Sequence, residues 1–335
     1  MDYCKDPLYL VSIPRSGATL LAALLNSHKH IAMFNEPWFV VILPKYGTFK
    51  RRQNVENFVS DLCSTAKRFG VILGDDFKRE VTSLSNNSQS SFMDGVEFFL
   101  NSYLSHAGKA RWGIKQPLGY SELPRFVRKI PNLKIIHIVR DPRSTVALRM
   151  RGTESKKENL IGALRFSRSW SKAMSQIDRF RQLHQESYYE LRYEYLVVDP
   201  TQHLKDICRF LGEEFDPEML NYFEAKNPYV PRDGTGQVRS SHADVLLPVH
   251  QQDINYWKKN LMLRELMIVE IICGTQMNDR GYQCSLPAED QRLNPFLLFF
   301  IEICLYYRIC KAAVRREMIE RPYHSFRKAM IFLGK

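Results

Sequence analysis

The sequence has no CxxC pair, no internal repeat, no low-complexity tract and no apolar run long enough to cross a bilayer. Its seven cysteines (Cys4, Cys63, Cys208, Cys273, Cys284, Cys304 and Cys310) are odd in number and scattered. That pattern argues against a structural zinc site and reads as buried free thiols in a reducing compartment. The first seven residues lack a basic stretch followed by a long apolar one, so no signal peptide is read there. Acidic residues are also short: 36 Asp and Glu stand against 48 Lys and Arg, a net charge of +12. Such a surplus fits an anionic partner, whether nucleotide, polyanion, nucleic acid or membrane surface, and equally a plain basic protein. With 44% hydrophobic and 25% charged residues in 335, the chain is of ordinary globular composition and is neither collagen-like nor disordered.

What is present alternates short β-branched runs with helical patterns, the mark of a parallel sheet covered by helices. Strands are expected at 8–13, 111–115, 134–139 and 188–193. Helices are expected at 17–27, 55–68, 92–106, 123–130, 142–149, 159–184, 201–211 and 261–280. Residues 83–91 and 152–157 read as polar loops, and 227–249 as a long loop of the kind that often carries function. A core domain is expected over 1–285 and a basic, amphipathic helical tail over 286–335.

Two loops carry the chemistry. The first is Ser12-Ile13-Pro14-Arg15-Ser16-Gly17-Ala18-Thr19-Leu20, lying between a buried strand and a helix. A helix start offers N–H groups with no acceptor of their own and the positive end of the dipole, which together make an anion site. Arg15 adds a forked cation. The loop is not a Walker A sequence: Ser12 stands in place of the first glycine and Ala18 in place of the lysine. Alone, it fits an ordinary strand-to-helix turn just as well. The second loop is Val139-Arg140-Asp141-Pro142-Arg143, where an apolar strand ends in charge. Carboxyl ends of strands line the ligand crevice of open α/β sheets, so Arg140 and Arg143 mark a candidate second phosphate site. A surface ion pair of Arg140 with Asp141 is the plain alternative.

Together, two arginine-marked loops fit one ligand with two separated phosphates. The pair resembles the cofactor loops of sulfotransferases that use 3′-phosphoadenosine 5′-phosphosulfate (PAPS), in the form of the carbohydrate and tyrosylprotein branch and its bacterial relatives. Trp112-Gly113-Ile114-Lys115-Gln116-Pro117 is similar to that family's WG-x-K-[ST]-P strand end. Leu191-Arg192-Tyr193-Glu194-Tyr195-Leu196 with Asp199-Pro200 resembles its RYEDL…DP segment, and Trp257, Glu270 and 277–282 resemble its C-terminal pattern. The resemblance covers about residues 8–283 and implies a P-loop-like three-layer fold with a central parallel sheet.

It further implies roles. Arg15, Ser16, Gly17, Ala18 and Thr19 would hold the 5′-phosphosulfate. Arg140 would hold the 3′-phosphate; Leu148 stands where the family usually has a serine, and of the nearby residues Arg149 or Arg151 would add charge there, though neither matches that serine position. Tyr193 would lie near the cofactor. Glu36, in Phe34-Asn35-Glu36-Pro37-Trp38, would be the general base for the acceptor hydroxyl, and Lys115 would stabilise the leaving phosphate oxygen. Gln116 departs from the usual Ser or Thr. No metal is expected, since scattered His and Cys form no ligand set. His28, His30 and His137 read as structural. The acceptor is a hydroxyl on a carbohydrate, glycolipid or tyrosine, and nucleic acid is not expected as a partner. The apolar, aromatic stretch 295–307 and the basic residues after it suit 295–328 to peripheral membrane contact as well as to packing on the protein. The localisation expected is cytoplasmic, with or without membrane association. The rival readings are a P-loop-like kinase and a non-enzymatic polyanion- or membrane-binding relative.

Overall fold

The computed structural model describes residues 6–35, 92–130, 132–151, 156–224, 245–251 and 253–287, together with 56–60, 63, 79, 82 and 83. Most of the expected helix 55–68, the loop 84–91, most of the loop 227–249 and the tail lie outside the described residues, as does Glu36.

Five strands form one sheet: β1 (Leu8–Ser12), β2 (Ile31–Asn35), β3 (Arg111–Pro117), β4 (Lys134–Val139) and β5 (Tyr188–Arg192), in the order β2-β3-β1-β4-β5. Every pairing is parallel. β1 is central and buried along its whole length, which explains its uninterrupted apolar run, Leu8-Tyr9-Leu10-Val11. The helices are α1 (Ala18–Asn26), α2 (Phe92–Ala107), α3 (Leu123–Lys129), α4 (Pro142–Met150), α5 (Lys156–Leu183), α6 (Tyr193–Val198), α7 (Pro200–Leu211), α8 (Tyr256–Asn260) and α9 (Leu263–Asn278).

The chain forms two compact units, Met1–Asp141 with Lys172–Asn255 and Pro142–Ser171 with Tyr256–Lys335. In the first, helices cover both faces of the sheet. Leu8, Leu10, Met33, Ile136 and Ile138 pack against Leu21, Ala22 and Leu25 of α1 and against Leu204, Ile207 and Leu211 of α7. On the other face Tyr9 meets Phe126 of α3 with ring centres 5.1 Å apart, and Phe34 meets Tyr103 of α2 at 4.2 Å. Each fully buried leucine here contributes about 1.5–3 kcal/mol. α7 starts at Asp199, whose side chain accepts from Gln202 N at 2.9 Å, and ends at Gly212 in the left-handed region (φ 67°). In the second unit α4 packs against α8 and α9.

Three expectations change. β2 was not foreseen: Ile31-Ala32-Met33-Phe34-Asn35 is short and poor in β-branched residues, and it becomes a strand by pairing with β3. Tyr193, expected to end the last strand, instead opens α6. Lys156 and Lys157 belong to α5 rather than to the preceding loop, whereas the expected helix 261–280 forms as α9, with the short α8 before it.

Candidate functional site

The order of the strands makes a crevice. From β1 the chain leaves toward β2, and from β4 it leaves toward β5, so the carboxyl ends of β1 and β4 border the switch in direction. The Arg15 and Arg140 loops follow these two strands.

The first loop bends through two left-handed residues, Arg15 (φ 75°) and Gly17 (φ 86°). Gly17 is required twice over: its φ favours glycine, and a Cβ there would overlap the ring of Tyr193. Gly17 caps α1 without any side-chain hydrogen bond, so the cap leaves the first N–H groups of the helix to other acceptors. Arg15 is exposed. Ser16 is only 1% exposed, and its Oγ, like that of Ser12, is a buried hydroxyl oxygen with no hydrogen-bond partner.

Lys115, on β3, is the next component. Its register partner on β1 is Leu10, which places it on the α1 face of the sheet. The side chain is 1% exposed, and Nζ donates to Thr19 Oγ1 at 3.0 Å. A buried cation thus stands against the first turn of α1, next to the loop. On its other side Lys115 pairs in register with Asn35, the last residue of β2. Glu36 is the following residue in the sequence.

Arg140 is buried (4% exposed), and its guanidinium lies 4.1 Å over the ring of Tyr193. Its Nη1 donates to the Arg15 carbonyl at 3.2 Å and its Nη2 to the Asp253 carbonyl at 2.5 Å. At the next residue Asp141 N donates to Glu194 Oε1 at 3.0 Å, tying the end of β4 to α6. Sequence reasoning missed Asp253, which acts through its backbone and so leaves no side-chain signal. Glu194 was visible within the Arg192–Tyr195 motif, but without this role.

The remaining expectations divide. Arg15, Ser16, Gly17, Ala18, Thr19, Lys115, Arg140 and Tyr193 come together in the first unit. Arg149 lies on α4 in the second unit, its guanidinium 4.1 Å over Phe166. Arg143, read as part of a phosphate site, is instead buried in the second unit, bonded to Glu270 at 2.8 Å and stacked 4.1 Å over Trp257. Glu270 also accepts from Ser285 Oγ (2.7 Å), Ser285 N (2.9 Å) and Leu286 N (3.0 Å). Burial pushes this carboxyl up, but the donors from Ser285, Leu286 and Arg143 outweigh it and hold it below the usual range. Two of the histidines expected to be structural, His137 and His28, are held by hydrogen bonds. His137 is fully buried between Tyr120 OH (3.2 Å) and Glu190 Oε2 (3.0 Å). His28 bonds the Glu214 carbonyl through Nε2 and accepts from His30 N through Nδ1.

The donor set suits an oxyanion. A helix start, two buried hydroxyls and a buried ammonium converge where the loop bends, and none of them is a carboxylate.

Comparison with known proteins agrees with the fold and the motifs. The model of the family described as "Sulfotransferase family" matches residues 7–217, which include both loops. Protein-tyrosine sulfotransferase A of Caenorhabditis elegans is 22% identical over 257 residues, covering 75% of this chain and 60% of that protein. An uncharacterized protein of Aquifex aeolicus is 20% identical over 261 residues, covering 76% of this chain and 31% of that protein. The chain therefore spans less than two thirds of the length of either relative. The sulfotransferase domain from the curacin biosynthetic pathway superposes with a TM-score of 0.56 at 20% identity, covering 85% of this chain and 100% of that domain. That of the Synechococcus PCC 7002 olefin synthase does so at 0.53 and 20%, covering 81% and 95%. No helix among the described residues is long and apolar enough to cross a membrane. With a five-stranded parallel sheet of this kind and a family match across both arginine loops, the chain belongs to the sulfotransferase family.

Proposed function

We propose that the protein transfers a sulfuryl group from PAPS to an acceptor hydroxyl. The observation that carries this reading is Lys115 Nζ bonded to Thr19 Oγ1 at 3.0 Å, a buried cation at the mouth of an oxyanion loop, in a chain of this family. PAPS supplies a sulfuryl group on a good phosphate leaving group. In this reading the N–H groups at the start of α1, the Ser16 and Thr19 hydroxyls and Arg15 hold the 5′-phosphosulfate end, with Gly17 and Ala18 letting backbone approach it. Arg140 meets the 3′-phosphate, beside Tyr193.

Glu36 is the general base. It takes the acceptor's hydroxyl proton while the acceptor oxygen forms its bond to sulfur. The bond from sulfur to the bridging phosphate oxygen breaks, and its electron pair stays with the phosphate. Lys115 and Arg15 stabilise the negative charge that gathers on that oxygen. The products are a sulfate ester and adenosine 3′,5′-bisphosphate. No step requires a metal. The acceptor is a hydroxyl on a carbohydrate, glycolipid or tyrosine.

Thermal unfolding with adenosine 3′,5′-bisphosphate, beside ATP with Mg²⁺, tests the reading. A ligand at 100 times its dissociation constant adds about 2.7 kcal/mol to stability. Stabilisation by the bisphosphate supports the donor site. Stabilisation by ATP with Mg²⁺ alone replaces it with a kinase reading, and no shift with either ligand removes the donor altogether.

A further inference from the structure

We infer that Arg140 is a positioning residue for the first loop as well as a ligand for the far phosphate, so that the two ends of the donor site are mechanically one. This rests on the donor reading above. The Arg15–Ser16 peptide is pinned on both sides: its carbonyl accepts from Arg140 Nη1 at 3.2 Å, and its N–H donates to the Ile13 carbonyl at 3.2 Å. Those two bonds fix the peptide plane on which the left-handed turn at Arg15 (φ 75°) depends. A non-glycine residue holds such a conformation only where its surroundings determine it. Two residues on, the ring of Tyr193 closes against Gly17, so tightly that no Cβ fits. The same ring carries the Arg140 guanidinium on its face at 4.1 Å.

Arg140 and Tyr193 thus brace the loop from β4 and from the start of α6, and Asp253 O anchors the second arm of the guanidinium at 2.5 Å. Arginine suits this task because its planar fork reaches two carbonyls while it stacks on a ring. A lysine keeps the charge but offers a single nitrogen. The brace also gives a physical reason for a donor with two separated anionic ends: a phosphate held at Arg140 immobilises the group that shapes the loop for the other end.

Adenosine 5′-phosphosulfate, which has no 3′-phosphate, isolates the loop. Its affinity and that of adenosine 3′,5′-bisphosphate are measured by calorimetry, without acceptor, for the wild type, Arg140→Ala, Arg140→Lys and Tyr193→Leu, with urea midpoints as the check on folding. The brace predicts that Arg140→Ala weakens the 5′-phosphosulfate about tenfold, the scale of one or two lost hydrogen bonds. Tyr193→Leu does the same. Arg140→Lys weakens it similarly while keeping part of the preference for the 3′-phosphate. Unchanged 5′-phosphosulfate affinity in folded Arg140→Ala or Arg140→Lys, with bisphosphate affinity lost, overturns the brace and leaves Arg140 a phosphate ligand alone. If Arg140→Ala does not fold, Arg140→Lys and Tyr193→Leu decide. A wild type that binds neither nucleotide overturns the donor reading itself, and the brace with it.

Discussion

Lys115 and Asn35 stand opposite one another on neighbouring parallel strands, 80 positions apart in the chain. The pairing brings the lysine that bonds Thr19 to the strand end from which Glu36 follows. In the proposed reaction Lys115 stabilises the charge that builds on the leaving oxygen, while Glu36, the next residue in the sequence after Asn35, takes the acceptor's proton.

Lys115→Met keeps the length of the side chain and removes its charge. It is expected to lower kcat by about 10²–10³-fold, the loss typical of one preorganised donor to a developing oxyanion. Bisphosphate affinity should change far less. Steady-state rates beside calorimetry check this, and a near-normal kcat would take Lys115 out of the mechanism.

Glu36→Gln preserves shape and cannot accept the proton. Turnover is expected to fall by about 10²–10⁴-fold, with cofactor binding nearly intact. Full activity in this variant assigns proton removal elsewhere.

Gly17→Ala puts a methyl group into the ring of Tyr193 at a backbone angle that alanine resists. A loss of about 1–3 kcal/mol in urea unfolding is expected, the usual range for strain at a special backbone position. The thermal shift with bisphosphate should shrink beyond what stability explains, because the loop itself is displaced.

Glu270→Ala leaves Arg143 buried without its carboxylate. The expected cost is about 3–5 kcal/mol, as for other broken buried pairs. In the wild type the carboxyl is held below its ordinary value of 4.5. Its stabilisation is therefore complete above that value and is lost as pH falls through the lower folded value. Denaturation midpoints of wild type and Glu270→Gln between pH 6 and 3 should converge on the acid side.

His28 works in the opposite half of the scale. Burial pulls its pKa below 6.5, against the Glu214 carbonyl, Asp216 and Glu213, which favour the charged form. The unfolded chain then takes up the proton first, so stability present above pH 6.5 is lost as pH falls from there toward the lower folded value. His28→Gln keeps a donor for the Glu214 carbonyl and should flatten the melting temperature between pH 7.5 and 5.5. An unchanged slope would assign the acid sensitivity to other groups.

The α/β class, the parallel sheet and the two arginine loops were legible because each depends on nearby residues. An apolar run with a glycine-bearing turn and a helical pattern behind it is written within about 20 positions. The same local signal was misleading at Arg143: Arg140-Asp141-Pro142-Arg143 reads as one charged loop, yet the first arginine faces Arg15 and Tyr193 while the other pairs with Glu270.

By itself, then, the sequence determined the local grammar of the two loops: strand, bend and helix at 8–26, and strand, arginine and helix at 134–150. Tertiary structure alone decided that Ile31–Asn35 is a strand, that Asn35 pairs with Lys115, and that Arg140 reaches the Arg15 carbonyl beneath the Tyr193 ring. The reason is physical. Periodicity reports which side of an element is buried, a property of neighbours along the chain. Strand order and register join residues 80 to 125 positions apart, through backbone bonds that any side chain could accompany.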